Sequence, residues 1–291
     1  MNLKKAAAIL VSCALAGALL VGCGGQQAAQ KEGGQDSKDA IKTGMLAQQN
    51  ISEEKLNEMI KEKSPQENIK IIYFDNLNAM QMGLESGSIV QMDLFKSVGK
   101  YLIDRNTKLT AKDIDNHPTD EFCFGLRQEE DSLKADLDKV IKDMKADGTL
   151  DKLTKQYITD LKPGEEPPAV KLPFQPGEVP LRIAVTGDLP PLDFVKADGN
   201  AAGFNTAILA EIGNRLHRSI EVVQVASGAR GSALMSKKVD VVFWTLLPVS
   251  DNNPDKVGIK GLFMPRDADI PNGMILSDPY YKDELVHIVK K

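Results

Sequence analysis

Apolar positions along the chain alternate between short β-branched runs and longer stretches with helical spacing. The runs at 69–74 and 181–185 are mostly apolar and have the length of buried strands. Between 133 and 144, leucine, valine, isoleucine and methionine recur at intervals of three and four, which predicts an amphipathic helix. Alternation of this kind predicts β-α units with mainly parallel sheets, and therefore an α/β fold.

The remaining apolar runs extend this alternation over most of the chain. Further helices are predicted after Ser52 as a cap, over 77–86 with a stop at Gly87, from Lys96, from Leu150, over 206–216 and over 232–237. Further strands are predicted over 220–225 and 239–243. Two lobes built from such units leave a cleft between them, where small ligands usually bind.

The N-terminus has the pattern of an export signal. Lys4 and Lys5 precede an apolar run over 6–21, which is short for a transmembrane helix. The run ends in Leu-Val-Gly-Cys at 20–23, which resembles a bacterial lipobox and implies cleavage after Gly22 and lipid on Cys23. The alternative is an ordinary signal peptide with an incidental cysteine. The pattern predicts a protein anchored by lipid to the cell membrane on its extracytoplasmic face.

Charge and composition argue against several classes of function. The formal net charge of −5 disfavours nucleic acid as a partner. The three histidines have no metal-ligand spacing, and no GxSxG, P-loop or CxxC motif is present. Cys123, between two phenylalanines, fits a buried and inert strand cysteine. The sequence therefore predicts neither an enzyme nor a cofactor or metal site.

Motifs in the C-terminal part of the chain resemble the first half of a known family. They are the strand at 181–185, Pro190-Pro191-Leu192-Asp193-Phe194, Gly203-Phe204-Asn205, Val239-Asp240-Val241, Ser277-Asp278-Pro279-Tyr280-Tyr281 and the strand at 285–289. Residues 124–127 and the helix after them resemble the end of the same family. The family is the extracellular solute-binding proteins of amino-acid ABC importers (family 3). The resemblance implies an α/β, two-lobe fold of the type II periplasmic binding proteins.

The two parts stand in exchanged order, which predicts that the fold is circularly permuted. The resemblance divides the chain into a lipoprotein signal peptide (1–22), a flexible tether (23–39), the second lobe (40–128), C-terminal-type helices that pack on the first lobe (129–160), a proline-rich linker (161–179) and the first lobe (180–291). Natural termini of the family both lie on the first lobe, so the linker can join them. The alternative is a fragment of a tandem protein or a broken reading frame.

Basic and acidic ligand contacts of the family map only in part onto this sequence. Asn252 occupies the position of the arginine that holds the ligand carboxylate. Arg230, just before a short helix, is predicted to replace it, with Arg266 as a second candidate. The alternatives are a surface or capping role for Arg230 and a solvated loop charge for Arg266. Asp93 matches the acid that binds the ligand amine, and the alternative is a cap for the helix from Lys96.

Other expected contacts lie in turns and at a strand end. Trp244 is predicted either to form a cleft wall or to pack in the core, and Thr245 follows it in the ligand-binding stretch. Asp188 follows the end of a strand, where ligands of sheets commonly lie, or is a solvated turn acid. A polar loop is predicted to meet the ligand carboxylate or to form a solvated turn: Gln48, Gln49 and Asn50.

The resemblance implies a lipid-anchored monomer that captures a small polar solute, an amino acid or a related amine or carboxylate, for an ABC importer permease. An alternative is a sensing or interaction lipoprotein that feeds no transporter. Cyclohexadienyl dehydratases also resemble this fold, but the chain shows no catalytic constellation.

Overall fold

The computed structural model describes residues 40–47, 51–63, 65–114, 119–246 and 273–291. The helices are α1 (Glu53–Lys63), α2 (Leu77–Ser86), α3 (Lys96–Ile103), α4 (Asp131–Ala146), α5 (Thr149–Thr154), α6 (Phe204–Leu216) and α7 (Arg230–Met235). The strands are β1 (Ile41–Leu46), β2 (Ile69–Phe74), β3 (Gln91–Phe95), β4 (Leu109–Asp113), β5 (Thr119–Arg127), β6 (Leu181–Val185), β7 (Asp188–Leu189), β8 (Asp193–Val195), β9 (Ala201–Ala202), β10 (Ile220–Gln224), β11 (Val241–Leu246), β12 (Met274–Leu276) and β13 (Tyr281–Lys290).

The strands form two groups that share one continuous hydrogen-bonded order. We call β1 to β4 the N-terminal strand group and β6, β10, β11 and β12 the C-terminal strand group. The order is β10-β6-β11-β5-β13-β3-β1-β2, with β12 paired to β5 and β4 paired to β13. Helices flank both groups, so the predicted α/β fold with two lobes is confirmed; the permutation remains a prediction.

Two long strands, β5 and β13, connect the groups. Residues 281–284 of β13 pair with β5, and residues 285–290 pair with β3 and β4. Both run antiparallel to their neighbours, whereas β1 with β2 and β6 with β10 are parallel. The expectation of mainly parallel sheets is therefore wrong at the centre, because the chain crosses between the groups in both directions.

The crossing strands pair across the expected lobe boundaries, which remain predictions. β5 lies within the predicted second lobe (40–128), yet it pairs with β11 and β12 of the C-terminal strand group. The end of β13 lies within the predicted first lobe (180–291), yet it pairs with the N-terminal strand group. A boundary drawn along the chain cannot follow strands that belong to both groups.

Local signals at helix ends match the structure closely. The hydroxyl of Ser52 accepts a hydrogen bond from the amide of Lys55 at 3.1 Å, which caps α1. Gly87 ends α2 with φ of 81°, a left-handed conformation that glycine adopts without strain. The predicted helix at 232–237 and strand at 239–243 lie about two residues away from α7 and β11. The amides of Lys238 and Val239 close a turn on Ala233, which sets these boundaries.

The proline-rich segment 161–179 is tied to the protein along its length. It contains no helix or strand, as expected, but the amide of Val170 donates to Ala201 and the amide of Ile220 donates to Pro173, both at 3.0 Å. Its Gln175 amide donates to the Ser219 hydroxyl at 2.8 Å. The segment is therefore an extended strap across the C-terminal strand group, and we call it the proline strap.

Helices α4 and α5 pack against α6, which belongs to the C-terminal half of the chain. Arg215 of α6 reaches Asp147 at 2.8 Å and the Thr149 hydroxyl at 3.0 Å, so polar contacts fix the same interface. Cys123 is fully buried in β5, in agreement with its expected packing role. Within the described ranges, no helix has the length and apolar character needed to cross a membrane.

Candidate functional site

A cavity of about 190 Å³ is bounded by residues of both strand groups. One wall is apolar and is formed by α1, β1, β2 and a residue of the loop before α1: Met45, Ile51, Leu56, Ile60, Ile69 and Ile71. The facing walls carry most of the polar groups: Asp93, His287, Asp193, Arg230, Trp244 and Thr245. A largely apolar cleft with a few placed polar groups is the usual form of a small-molecule site.

Asp93 lies on the wall contributed by the N-terminal strand group. It is opposite His287 in the register of β3 and β13, and its carboxylate contacts the Nδ1 atom of that histidine. Both side chains are about one-fifth exposed, at 17% and 20%. Asp93 does not cap α3, because the amide of Ser97 in the first turn donates to the Asp283 carboxylate instead. The alternative interpretation of Asp93 as a helix cap is therefore excluded.

Arg230 lies on the opposite wall, at the start of α7. Its guanidinium donates to the carbonyl of Phe243 at 2.8 Å, and to the carbonyl and hydroxyl of Ser227 at 3.1 and 3.3 Å. Burial lowers the pKa of this guanidinium, and the negative charge of Asp193 opposes the shift. Arg230 is thus held rigidly beside the cavity, with most of its donors already used by the protein.

Trp244 and Thr245 lie next to each other on β11 and both line the cavity. Trp244 is only 4% exposed and packs in a small core cluster with Cys123 and Val225. The Arg230 guanidinium lies 5.8 Å from the Trp244 ring, within the range of a cation–π contact. Trp244 therefore does both things that were expected as alternatives: it packs in the core and forms part of the cavity wall.

Asp193 is one of several polar wall residues that the sequence did not indicate. It is 4% exposed, and its Oδ1 atom accepts hydrogen bonds from the Thr186 hydroxyl at 2.7 Å and the Gly187 amide at 2.6 Å. Burial raises the pKa of its carboxyl to about 6, although these two hydrogen bonds oppose the change. In the sequence Asp193 is part of a recognisable turn motif, which gave it a structural explanation and hid its position on the cavity.

Asp188 is not among the residues that line the cavity. Its Oδ2 atom accepts a hydrogen bond of 2.8 Å from the amide of Leu77, the first residue of α2. Burial raises the pKa of this carboxyl, and the bonds from α2 amides oppose that effect. Asp188 therefore connects the C-terminal half of the chain to a helix of the N-terminal strand group.

A second direct contact between the two halves lies beside the cavity. The amide of Ser227 donates to the carbonyl of Asp75 at 3.1 Å, and the Ser227 hydroxyl donates to the carbonyl of Ala47 at 3.2 Å. Ser227 is buried and also lines the cavity. Together with Asp188, this residue holds the two halves in contact at one side of the cavity.

Several predicted site residues lie outside the described residues: Gln48, Gln49, Asn50, Arg266 and the lipidation candidate Cys23. Asn252, at the position of the family's arginine, also lies outside them. Among the described residues, no three histidine, cysteine or acidic side chains are grouped so as to hold a metal ion. Of the predicted site residues that the structure describes, Asp93, Arg230, Trp244 and Thr245 line one cavity and Asp188 does not.

A comparison with protein families finds a match in the part of the chain that contains Arg230, Trp244 and Thr245. The family model described as bacterial extracellular solute-binding proteins, family 3, matches residues 181–248. A comparison with curated proteins finds no match. Similar solved structures include the ligand-binding component of an ABC-type import system from Staphylococcus aureus, at 10% identity and a TM-score of 0.41 over 86% of this chain and 66% of that one.

Two further solved structures cover most of both chains. An ABC transporter periplasmic substrate-binding protein from Coxiella burnetii is 13% identical, with a TM-score of 0.36 over 86% of this chain and 84% of that one. The GluR0 ligand-binding core from Nostoc punctiforme, in complex with L-glutamate, is 10% identical, with a TM-score of 0.38 over 86% and 85%. By the family match, residues 181–248 of this chain are similar to the bacterial extracellular solute-binding proteins, family 3.

Proposed function

We propose that the protein captures a small organic solute in the cavity and delivers it to an ABC importer. The observation that carries this proposal is a cavity with charged groups from both strand groups, Asp93 on one side and Arg230 on the other. The family match over 181–248 includes Arg230, Trp244 and Thr245. An amino acid or a related amine or carboxylate fits this arrangement of groups.

Binding would favour the closed form by contacts with both walls at once. Among the described strands, β5 and β13 link the two strand groups, so a small change in these two strands can open or close the cavity. A solute that touches both walls of the cavity binds the closed form better than the open one and therefore shifts the population toward it.

Thermal unfolding of the purified protein with a panel of amino acids, amines and small carboxylates tests this function. A true solute present at about 100 times its Kd adds roughly 2.7 kcal/mol to the free energy of unfolding, which raises Tm by several degrees. A cooperative transition that no compound shifts would contradict solute binding. No cooperative transition at all would indicate a fragment.

We also propose that Cys23 carries the lipid anchor on the extracytoplasmic face of the membrane. The basic start, the apolar run and the Leu-Val-Gly-Cys ending support this placement. The change Cys23→Ser should move the protein from the membrane fraction to the soluble fraction of cells that export it. Retention of the variant in membranes would contradict the anchor.

The circular permutation is supported by the positions of two strand ends. Val289 near the end of β13 is opposite Gln91, and Gln91 is opposite Thr43 near the start of β1. At about 4.8 Å per strand spacing, these ends lie roughly 10 Å apart at the same edge of the sheet. A loop of ordinary length can join them, as the family order requires.

Restoring the family order is therefore expected to leave the fold intact. We expect a chain that reads 179–291, a short Gly-Ser loop and then 40–178 to unfold cooperatively as a monomer, with the ligand profile of the natural order. The physical reason is that all strand pairs are kept and only an exposed connection moves. Size-exclusion chromatography with light scattering and thermal unfolding measure the result. An aggregated or non-cooperative product would contradict a complete permuted module.

A further inference from the structure

The described wall of the cavity carries more negative than positive charge. Three carboxylates, Asp93, Asp120 and Asp193, face the cavity together with a single guanidinium, that of Arg230. The described wall contains no lysine, and His287 adds at most one charge, which is directed at Asp93. A concave site with an excess of one sign attracts ligands of the opposite sign.

Asp193 provides a specific acceptor within this wall. Its two hydrogen bonds both end on Oδ1, and no described residue donates to Oδ2. The residue is 96% buried, because only 4% of its surface is exposed, and it lines the cavity. Oδ2 is not one of the fully buried side-chain atoms that lack a partner, so this oxygen is open to a ligand in the cavity that donates an N–H group to it.

Arg230 is poorly placed to select an anion. Of the five N–H groups of a guanidinium, three are donated to protein oxygens of Ser227 and Phe243. Its positive charge also acts on Asp193, so it is partly balanced before a ligand arrives. A carboxylate in the cavity would therefore gain little from Arg230 and would face three acidic side chains.

The apolar wall defines the rest of the ligand. Six aliphatic or sulfur-containing side chains of α1, β1, β2 and the loop before α1 face the same space as the acidic groups: Met45, Ile51, Leu56, Ile60, Ile69 and Ile71. None of them can donate or accept a strong hydrogen bond. A hydrocarbon group that contacts this wall is stabilised by leaving water, at about 0.8 kcal/mol per methylene.

We propose that the solute is an organic cation, an amine with an alkyl body, whose ammonium group donates to Oδ2 of Asp193 while its hydrocarbon part lies against the apolar wall. This inference rests on the proposed function and refines it. It sets amines apart from free carboxylates and from amino acids, whose carboxylate would lie in an acidic cavity.

Three homologous series of equal chain length test the assignment by isothermal titration calorimetry at about pH 8. They are the n-alkylamines butylamine and hexylamine, the carboxylates butanoate and hexanoate, and the amino acids 2-aminobutanoate and norleucine. We expect the amines to bind about 100-fold more tightly than the carboxylates, because a like charge in the site costs several kcal/mol. Each added methylene should improve amine affinity about fourfold.

The variant Asp193→Asn tests the named acceptor. It keeps an oxygen for the Thr186 and Gly187 donors but removes the charge, so hexylamine affinity should fall by about 10-fold to 100-fold. The matched control is Asp136→Asn, which removes the same charge from an exposed position on α4, away from the cavity. The control should bind hexylamine as the natural protein does.

The outcomes separate this inference from the proposed function. Tighter binding of the carboxylates or amino acids than of the amines would overturn the cation assignment and leave solute binding intact. Unchanged hexylamine affinity in a folded Asp193→Asn protein would overturn the role of Asp193. No binding in any of the three series would count against solute binding in this cavity, and with it against the inference.

Discussion

Replacing Asp193 by asparagine should raise the free energy of unfolding by about 1–3 kcal/mol at neutral pH, although the same change weakens ligand binding. The side chain is almost fully buried, and burial raises the pKa of its carboxyl to about 6 from an ordinary value of 3.8. At neutral pH the carboxylate is ionised in a place that disfavours its charge. Asparagine has the same shape and carries no charge, so the variant avoids that cost.

The pH dependence of stability follows from the direction of this pKa shift. Between about pH 4 and pH 6, Asp193 binds more protons in the folded state than in the unfolded state. The contribution of this residue to stability is therefore most favourable below pH 4, and it is lost as the pH rises through 6. The stability difference between Asp193→Asn and the natural protein should accordingly be small near pH 4 and reach its full size above about pH 7.

Urea unfolding of both proteins over a range of pH values measures this difference. The exposed control Asp136→Asn should show no comparable pH-dependent gain. If Asp193→Asn were less stable than the natural protein at every pH, the hydrogen bonds that Oδ1 accepts from Thr186 and Gly187 would outweigh the cost of the buried charge. A gain in stability combined with a loss of affinity would instead show that a costly carboxylate is kept for the ligand.

Elements with a clear local signal could be predicted from the sequence. The strands at 69–74 and 181–185 and the helix at 77–86 begin and end at the residues that apolar runs and the cap at Gly87 indicate. The antiparallel crossing of β5 and β13 could not be predicted in this way, because strand direction depends on contacts between residues more than a hundred positions apart. The anchoring of the proline strap depends on distant partners such as Ala201 in the same way.

The site could be predicted only where a family motif marks a residue. Asp93, Arg230 and Trp244 all line the cavity. Asp193 was assigned to a turn, and His287 to a crossing strand, because each has a sufficient local explanation in the sequence. Both residues line the cavity only because of where β8 and β13 lie in the folded protein, which the sequence motifs do not indicate. A sequence motif indicates the role of a residue within its own turn. It does not indicate which residues lie opposite that residue across the cavity.

We expect Asp188 to control closure of the cavity. Its replacement by asparagine should lower ligand affinity about tenfold, although Asp188 does not contact the ligand. The carboxylate of Asp188 accepts from the amide of Leu77 at the start of α2, so it joins the two halves of the chain. A hydrogen bond to a charged group at a helix N-terminus contributes about 1.5 kcal/mol, which corresponds to roughly a tenfold change in an equilibrium. When the closed form is less populated, apparent affinity falls by the same factor.

A matched variant on the same helix separates closure from helix stability. Asn76 caps α2 through the amide of Ala79 at 2.8 Å, but it belongs to the same half of the chain as that helix. Asn76→Ala should therefore cost about 1 kcal/mol of stability and leave affinity unchanged. Small-angle X-ray scattering of the ligand-free proteins should show a larger radius of gyration for Asp188→Asn alone.

The sequence-based expectation that Asp188 touches the ligand makes a different prediction. A direct contact would lose far more than tenfold in affinity on the change to asparagine, with no change in the radius of gyration. An unchanged affinity together with an unchanged radius would exclude both roles. Because Asp188 is engaged with Leu77 and is absent from the cavity wall, we expect the modest loss of affinity and the more open ligand-free form.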